Sequence, residues 1–454
     1  MSTVFYENWN LGDRPAVVTL ERTYTYEELN TDIEVFGKKL QSGEKELVVL
    51  LCTHTYELLV AYLAALRAGH AVMLVSGDLD IDLLTTIMER YQPKWIIGSR
   101  KLAGYEQVEV SVWRKSSSKT LMIHPKLAVL LSTSGTTGSQ KFVRLSYENL
   151  QSNAVSIVSY LRLDEQQRGL ANLPLSYSYG LSIVNSHLEA GATILLTDES
   201  VMAKSFWVFL NEQRATSFGG VPFTYQMLQR IGFLKMNLPY LQMFTQAGGR
   251  LDDRLVKLFG EYAEDQGKQF FVMYGQTEAA PRMSYIPPNR LLEKESSIGI
   301  AIPGGTFCLD PNTSELIYKG PNVMMGYAES LEDLAKGDEM NGVLPTGDLA
   351  TVDDDGFYSI TGRLKRFVKL FGLRVNLDEV ERKLEQELQN AVACTGSDDR
   401  MIVVVESEPS ATIAKAYLES AYQLHKSSFR ILVEEIPRLS NGKMDYQAIK
   451  DGLV

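Results

Sequence analysis

The stretch Leu127–Val143 reads LAVLLSTSGTTGSQKFV, an apolar run that stops at a loop of small hydroxylic residues and glycines. Leu127 to Leu131 predict a buried strand. Gly135 and Gly138 allow the turns that let backbone N–H groups approach a ligand closely. Thr133, Ser134, Thr136 and Thr137 add hydroxyl donors, and Lys141 adds a positive charge. A loop so equipped suits phosphate oxygens. A polar surface turn has the same composition, so the loop alone leaves both readings open. The Walker A pattern is excluded by spacing, because counting from Gly135 its Gly-Lys pair would have to begin at Gln140.

Such a loop needs a rigid sheet behind it, and the chain is long enough to build one. With 454 residues it has material for more than one domain, and 45% hydrophobic with 22% charged residues is ordinary for a globular protein. A net charge of −11 argues against nucleic acid or an anionic membrane as partner. It also requires a local positive cluster wherever a polyanion binds. Cys52, Cys308 and Cys394 are few and unpaired in pattern, which predicts reduced thiols and a cytoplasmic setting. No basic segment followed by an apolar core opens the chain, so no signal peptide is expected. The apolar runs fall short of the ~18 residues of a membrane span, so no membrane insertion is expected.

In order, the pattern predicts a hairpin of Ala16–Leu20 with Tyr24–Tyr26 and a helix capped by Thr25. Leu47–Cys52, Ala71–Val75 and Trp95–Gly98 read as strands alternating with helices Tyr56–Ala68 and Leu83–Tyr91. This alternation predicts a mostly parallel sheet with crossover helices. Ser146 caps the next helix, as a plain cap, since Glu148 stands only two residues on. Ala171–Leu175 reads as a strand entering Ser176-Tyr177-Ser178-Tyr179-Gly180. Further strands are Thr193–Thr197, Ser217–Gly220, one ending in Gly248-Gly249, and Gln269–Tyr274 followed by Gly275-Gln276-Thr277-Glu278.

These segments, with Thr346-Gly347-Asp348, Gly362-Arg363 and Asn441-Gly442-Lys443, come in an order and spacing that resembles the adenylate-forming enzymes. That superfamily includes acyl-CoA synthetases, peptide-synthetase adenylation domains and firefly luciferase, and the likeness covers nearly the whole chain. It implies an α/β fold: a large N-terminal domain (residues 1–364) of mixed, mostly parallel sheets with a small β-barrel-like portion. A small mobile α+β C-terminal domain (365–454), shorter than is usual in the family between Val392 and Pro409, follows.

The resemblance implies activation of a carboxylic acid by ATP to an acyl adenylate, with release of pyrophosphate and transfer of the acyl group to a thiol. Coenzyme A is the expected acceptor. The phosphopantetheine arm of an acyl carrier protein, or an acyl-AMP ligase that makes no thioester, is the alternative. It places the triphosphate under the Thr133–Lys141 loop and makes Glu278 the Mg²⁺ ligand, a hard carboxylate for a hard cation. Thr277 meets the α-phosphate. Asp348 accepts both ribose hydroxyls, with Arg363 beside it, and Gly248, Gly249 and Tyr274 form the adenine slot within reach of Gly275 and Gln276. Lys443 becomes the catalytic lysine delivered by the small domain, Lys365 the hinge, and Gly372 part of the loop presented to the thiol acceptor. For the acid pocket the expected residues are Tyr177, Tyr179, Ile183, Gly219, Gly220, Ala247, Ala280 and Met283, mostly apolar. The Pro174–Gly180 stretch has no carboxylate to hold an amino group, which favours a small or medium aliphatic or aryl acid. Arg282 reads either as a surface ion-pair partner or as a contact for a polar substituent.

Overall fold

The alternation of strands and helices folds into two large sheets with helices wedged between them. The computed structural model describes residues 4–115, 122–132, 141–364, 366–370, 373–397, 400–422, 424–439 and 444–451. The first sheet has eight strands. Its parallel centre is Leu127–Ser132, Ala71–Ser76, Leu47–Cys52 and Trp95–Ile97, and antiparallel strands flank it on both sides, Phe142–Ser146 and Gly326–Ala328 on one. The second has nine strands, with Gln269–Gly275, Met243–Gln246, Ser217–Gly220, Arg168–Ala171, Thr193–Leu196 and Pro15–Val18 parallel in that order. Arg282–Tyr285 is added antiparallel at one side.

Burial explains why the central strands are continuous apolar runs, since parallel strands are covered on both faces. Leu47–Cys52 is buried throughout. The helix Tyr56–Arg67 is buried almost all round, and one core cluster joins it to Val48 and Leu131 of one sheet and to Ile194 and Leu196 of the other. The helix Ser178–Glu189 is buried in the same way. Thr25 caps Tyr26–Lys39 through a reciprocal box with Glu28.

Two local expectations are corrected. Ser146 does form a capping box, with Asn149 at the third helical position returning its side-chain carbonyl to the Ser146 N–H. The strand expected at Ala171–Leu175 is Arg168–Ala171. Pro174 has no N–H to give a ladder, and the carbonyls of Leu173 and Pro174 instead crowd Gly180, where an added Cβ would lie 2.5 and 2.3 Å from them.

An antiparallel sheet of Thr306–Leu309, Glu315–Lys319, Val343–Val352 and Tyr358–Arg363 occupies the place expected for the barrel-like portion. The smaller C-terminal part follows as α+β. A hairpin of Phe367–Leu370 and Leu373–Asn376 precedes the helix Leu377–Leu388, and a sheet of Val392–Ser397, Arg400–Val405 and Phe429–Val433 carries the helix Glu408–Ser420. Arg366 is clamped at the entrance. It donates to both oxygens of Glu381 at 2.8 and 3.1 Å and to the Cys394 carbonyl at 2.7 Å, contacts Asp378, and lies 3.9 Å from the Tyr446 ring centre. Burial pushes the carboxyls of Asp378 and Glu381 up, and the Arg366 charge pulls them down.

Candidate functional site

Three segments far apart in the chain meet at the end of the first sheet. Phe142–Ser146 pairs with Gly326–Ala328, which brings Lys141 next to Tyr327. The Lys141 ammonium lies 3.8 Å from the Tyr327 ring centre, and the Tyr327 hydroxyl donates to Glu278 Oε1 at 2.8 Å. Burial first, and the Glu278 charge second, push the Tyr327 phenol up, so it stays a donor. Tyr327 is absent from the sequence-derived set. Its only local signal is the glycine before it: Gly326 has φ +128, and a Cβ there would come within 2.8 Å of Arg144.

Beside Glu278, the Thr277 hydroxyl lies 3.1 Å from that of Ser178 at the start of the buried helix Ser178–Glu189. On the other side, Tyr274 donates to Asp348 Oδ2 at 2.5 Å, and Gln276 Nε2 donates to the same oxygen at 3.1 Å and to the Thr346 carbonyl at 2.9 Å. Asp348 and Arg363 face each other across the Val343–Val352 and Tyr358–Arg363 strands, with Arg363 Nε 3.3 Å from Oδ1. Asp348 is buried, and desolvation together with its charge drives the Tyr274 phenol upward. Gly275 has to be glycine, because a Cβ would stand 1.8 Å from the Pro281 carbonyl oxygen.

Gly248 has φ +85, and its missing Cβ would be 2.1 Å from the Tyr177 hydroxyl; that of Gly249 would be 3.2 Å from Pro222. The Tyr177 hydroxyl therefore fills the space beside Gly248. Tyr179 is buried and bonds Thr245 through its hydroxyl at 2.7 Å to Oγ1 and 2.9 Å to the carbonyl. Gly219 accommodates Tyr179 and Ile183, while Gly220 backs onto Thr224 and Tyr225. Ala247 packs with Tyr177, Tyr179 and Ile183 in one cluster. Ala280 is buried with φ +59 and packs in the main core cluster. Met283 does not line this pocket: its side chain packs with Ala279, Tyr318, Val323 and Leu344. The strand is bulged here, with Gly275 opposite Arg282 and Tyr274 opposite Ser284, so Met283 is the extra residue between them. Arg282 is no surface ion-pair partner, being 2% exposed.

Thr133, Ser134, Gly135, Thr136, Thr137 and Gly138 of the loop, the hinge residue Lys365, Gly372 and Lys443 lie outside the described residues.

The buried His187 stands behind the pocket, with Nδ1 2.7 Å from the Ile183 carbonyl and Nε2 3.4 Å from Ser217 Oγ. Burial drops its pKa from 6.5 to about 4. A folded value below the unfolded one means that the contribution is full above pH 6.5 and is lost as pH falls from 6.5 towards 4. The shift corresponds to about 3 kcal/mol over that window. Denaturant midpoints at pH 7 and 5 should separate more for the native chain than for His187→Gln; equal separations would mean that this imidazole is not held neutral.

The model of the family described as AMP-binding enzyme matches residues 7–328. A linear gramicidin synthase of Brevibacillus parabrevis is 26% identical over 480 residues, covering 96% of this chain, although the chain spans only 6% of that protein's length. A 2-succinylbenzoate–CoA ligase of Staphylococcus aureus is 23% identical over 494 residues, covering 97% of this chain and 98% of that one. Among solved structures, O-succinylbenzoate coenzyme A synthetase (MenE) from Bacillus subtilis in complex with AMP superposes with a TM-score of 0.78 at 22% identity, over 97% of this chain and 96% of that one. The same enzyme with ATP and magnesium ion gives 0.75 at 22%, over 97% of each chain. ATP-bound MatB from Rhodopseudomonas palustris gives 0.75 at 22%, over 99% and 98%. At these identities the superpositions show a shared fold, with a large N-terminal domain and a smaller C-terminal one.

Proposed function

The chain belongs to the AMP-binding enzyme family, and from that premise we propose that it is an AMP-forming acid–thiol ligase. It activates a small carboxylic acid with ATP to an acyl adenylate, releases pyrophosphate, and passes the acyl group to coenzyme A. The family match, the CoA-ligase relatives and the ATP- and magnesium-bound neighbours support this.

The observation that carries the reading is the meeting of Lys141, Tyr327 and Glu278 beside Thr277. In-line displacement at phosphorus needs positioning and charge neutralisation more than covalent help. Lys141 supplies positive charge at the base of the hydroxyl-rich loop. Glu278 offers a single carboxylate, oriented by Tyr327, which suits an ion that completes its shell with phosphate oxygens and water. Magnesium bound there would neutralise phosphate charge. Thr277 would donate to the α-phosphate, and Asp348, with Arg363, would hold the ribose. Gly248 and Gly249, which have no side chain to obstruct a flat base, would lie at the adenine with Tyr274. We assign the division at residue 364 and the small domain's Lys443, Lys365 and Gly372 to the closing and swinging steps. A carrier protein's phosphopantetheine arm is the alternative acceptor, since it presents the same thiol. Free thiols at Cys52, Cys308 and Cys394 suit a reducing, cytoplasmic setting. Among the described residues no helix is long and apolar enough to cross a membrane.

Acid-dependent exchange of labelled pyrophosphate into ATP tests the first half of the reaction. Mass spectrometry of thioesters formed with coenzyme A or with a carrier protein tests the second. Absence of exchange with every acid of a broad panel would refute the proposal.

A further inference from the structure

Arg282 is a buried cation without a buried anion. Its Nε donates to Ser182 Oγ at 3.1 Å, one terminal nitrogen lies 2.6 Å from the Met273 sulfur, and the guanidinium sits 4.2 Å from the Tyr179 ring centre. Among the described residues no carboxylate comes within 4.0 Å of it, although shorter ion pairs occur elsewhere in the molecule. A guanidinium carries five donors, and thioether sulfur is a weak acceptor, so this group keeps unused donor capacity. Ser182 and Tyr160 give it hydroxyl partners but no opposite charge, and a buried charge left uncompensated is costly.

Arg282 also lines a cavity of about 20 Å³, together with Ile183, His187, Ser217, Gly219 and Thr245. Ile183 and Gly219 are also residues expected to line the acid pocket, so the cavity lies beside it. Its volume suits one oxygen-sized group. Its wall is apolar along Leu161, Leu163, Phe218 and Met243 but has a polar corner of Arg282, Ser217 and Thr245, where an oxygen finds a donor that an alkyl terminus leaves unused.

We infer that Arg282 is a specificity residue that selects acids carrying an oxygen acceptor, hydroxyl or carboxylate, at the end remote from the carboxyl that is activated. The inference rests on the acid-activating reading above and names its substrate class. The acceptor oxygen takes the guanidinium's spare hydrogen bond, and an alkyl end leaves that donor buried and unpaired. A site built to hydrogen-bond its ligand rejects the analogue that lacks the group far more strongly than it rejects a change of one methylene.

The test is pyrophosphate exchange with alkanoic acids set beside hydroxy acids and dicarboxylic acids of equal chain length. The native enzyme should favour the oxygen-bearing members, and the hydroxy and dicarboxylic arms tell which oxygen it takes. Arg282→Met should lower kcat/KM for the favoured acids roughly 10- to 100-fold, the worth of a hydrogen bond to a charged group, and leave the alkyl acids level or improved. Ser217→Val, which keeps the arginine, should disfavour the same acids roughly 10-fold and serves if the first variant does not fold. Exchange driven best by alkyl acids, or losses equal across the series in both variants, would overturn this inference alone. Exchange with no acid at all would overturn the ligase reading, and the inference with it.

Discussion

Lys443→Ala is expected to abolish pyrophosphate exchange while leaving thioester formation from pre-made acyl adenylate intact. A lysine is a compact charge suited to bridge the acid and the α-phosphate as negative charge builds between them. Removing one such stabilising contact costs roughly 10²- to 10³-fold in rate. The structure frames the segment that carries it. Arg438 and Met444 form an antiparallel bridge at the base of that segment, and the Arg438 guanidinium is 5.6 Å from the ring of Phe223 on the large body. Assaying the two half-reactions separately decides the matter, since equal losses in both would contradict a lysine used only in the first.

Asp348→Ala should raise the KM for ATP about 100-fold with a much smaller change in kcat. Two hydrogen bonds from ribose hydroxyls to one carboxylate are each worth about 1.5–3 kcal/mol, because the acceptor is charged. The substitution also strips Tyr274 and Gln276 of a shared acceptor and Arg363 of its counter-charge. A buried phenol left unpaired costs about 1–3 kcal/mol, so the melting temperature should fall as well. Asp348→Asn keeps one acceptor oxygen but turns an amide toward Arg363 or the ribose, and should lie between. Saturation with ATP at the native concentration would show that the ribose is held elsewhere.

How much of this is legible before folding differs residue by residue. Strands buried on both faces announce themselves as unbroken apolar runs, so Leu47–Cys52 and Ser217–Gly220 match their expected limits. Asn149 escapes notice as a capping partner because the amide at the third helical position does what glutamate is expected to do. Between the two readings open for Arg282, local pattern cannot choose, because its burial depends on Arg282–Tyr285 pairing back against Gln269–Gly275. Tyr327 stands 49 positions from Glu278 in the chain, and only the addition of its strand to the first sheet brings the two together.

The clamp on Arg366 has a mechanical consequence. Just before Lys365, Leu364 is tied to the Gly347 carbonyl at 2.8 Å and Arg363 to Asp348. Just after it, Arg366 is pinned by two carboxylates and a carbonyl. Both flanks of Lys365 are thus tied, so a hinge there, as proposed, would turn as a door and not as a leash. Such a turn would carry what lies beyond it by lever length, not by slack in the chain.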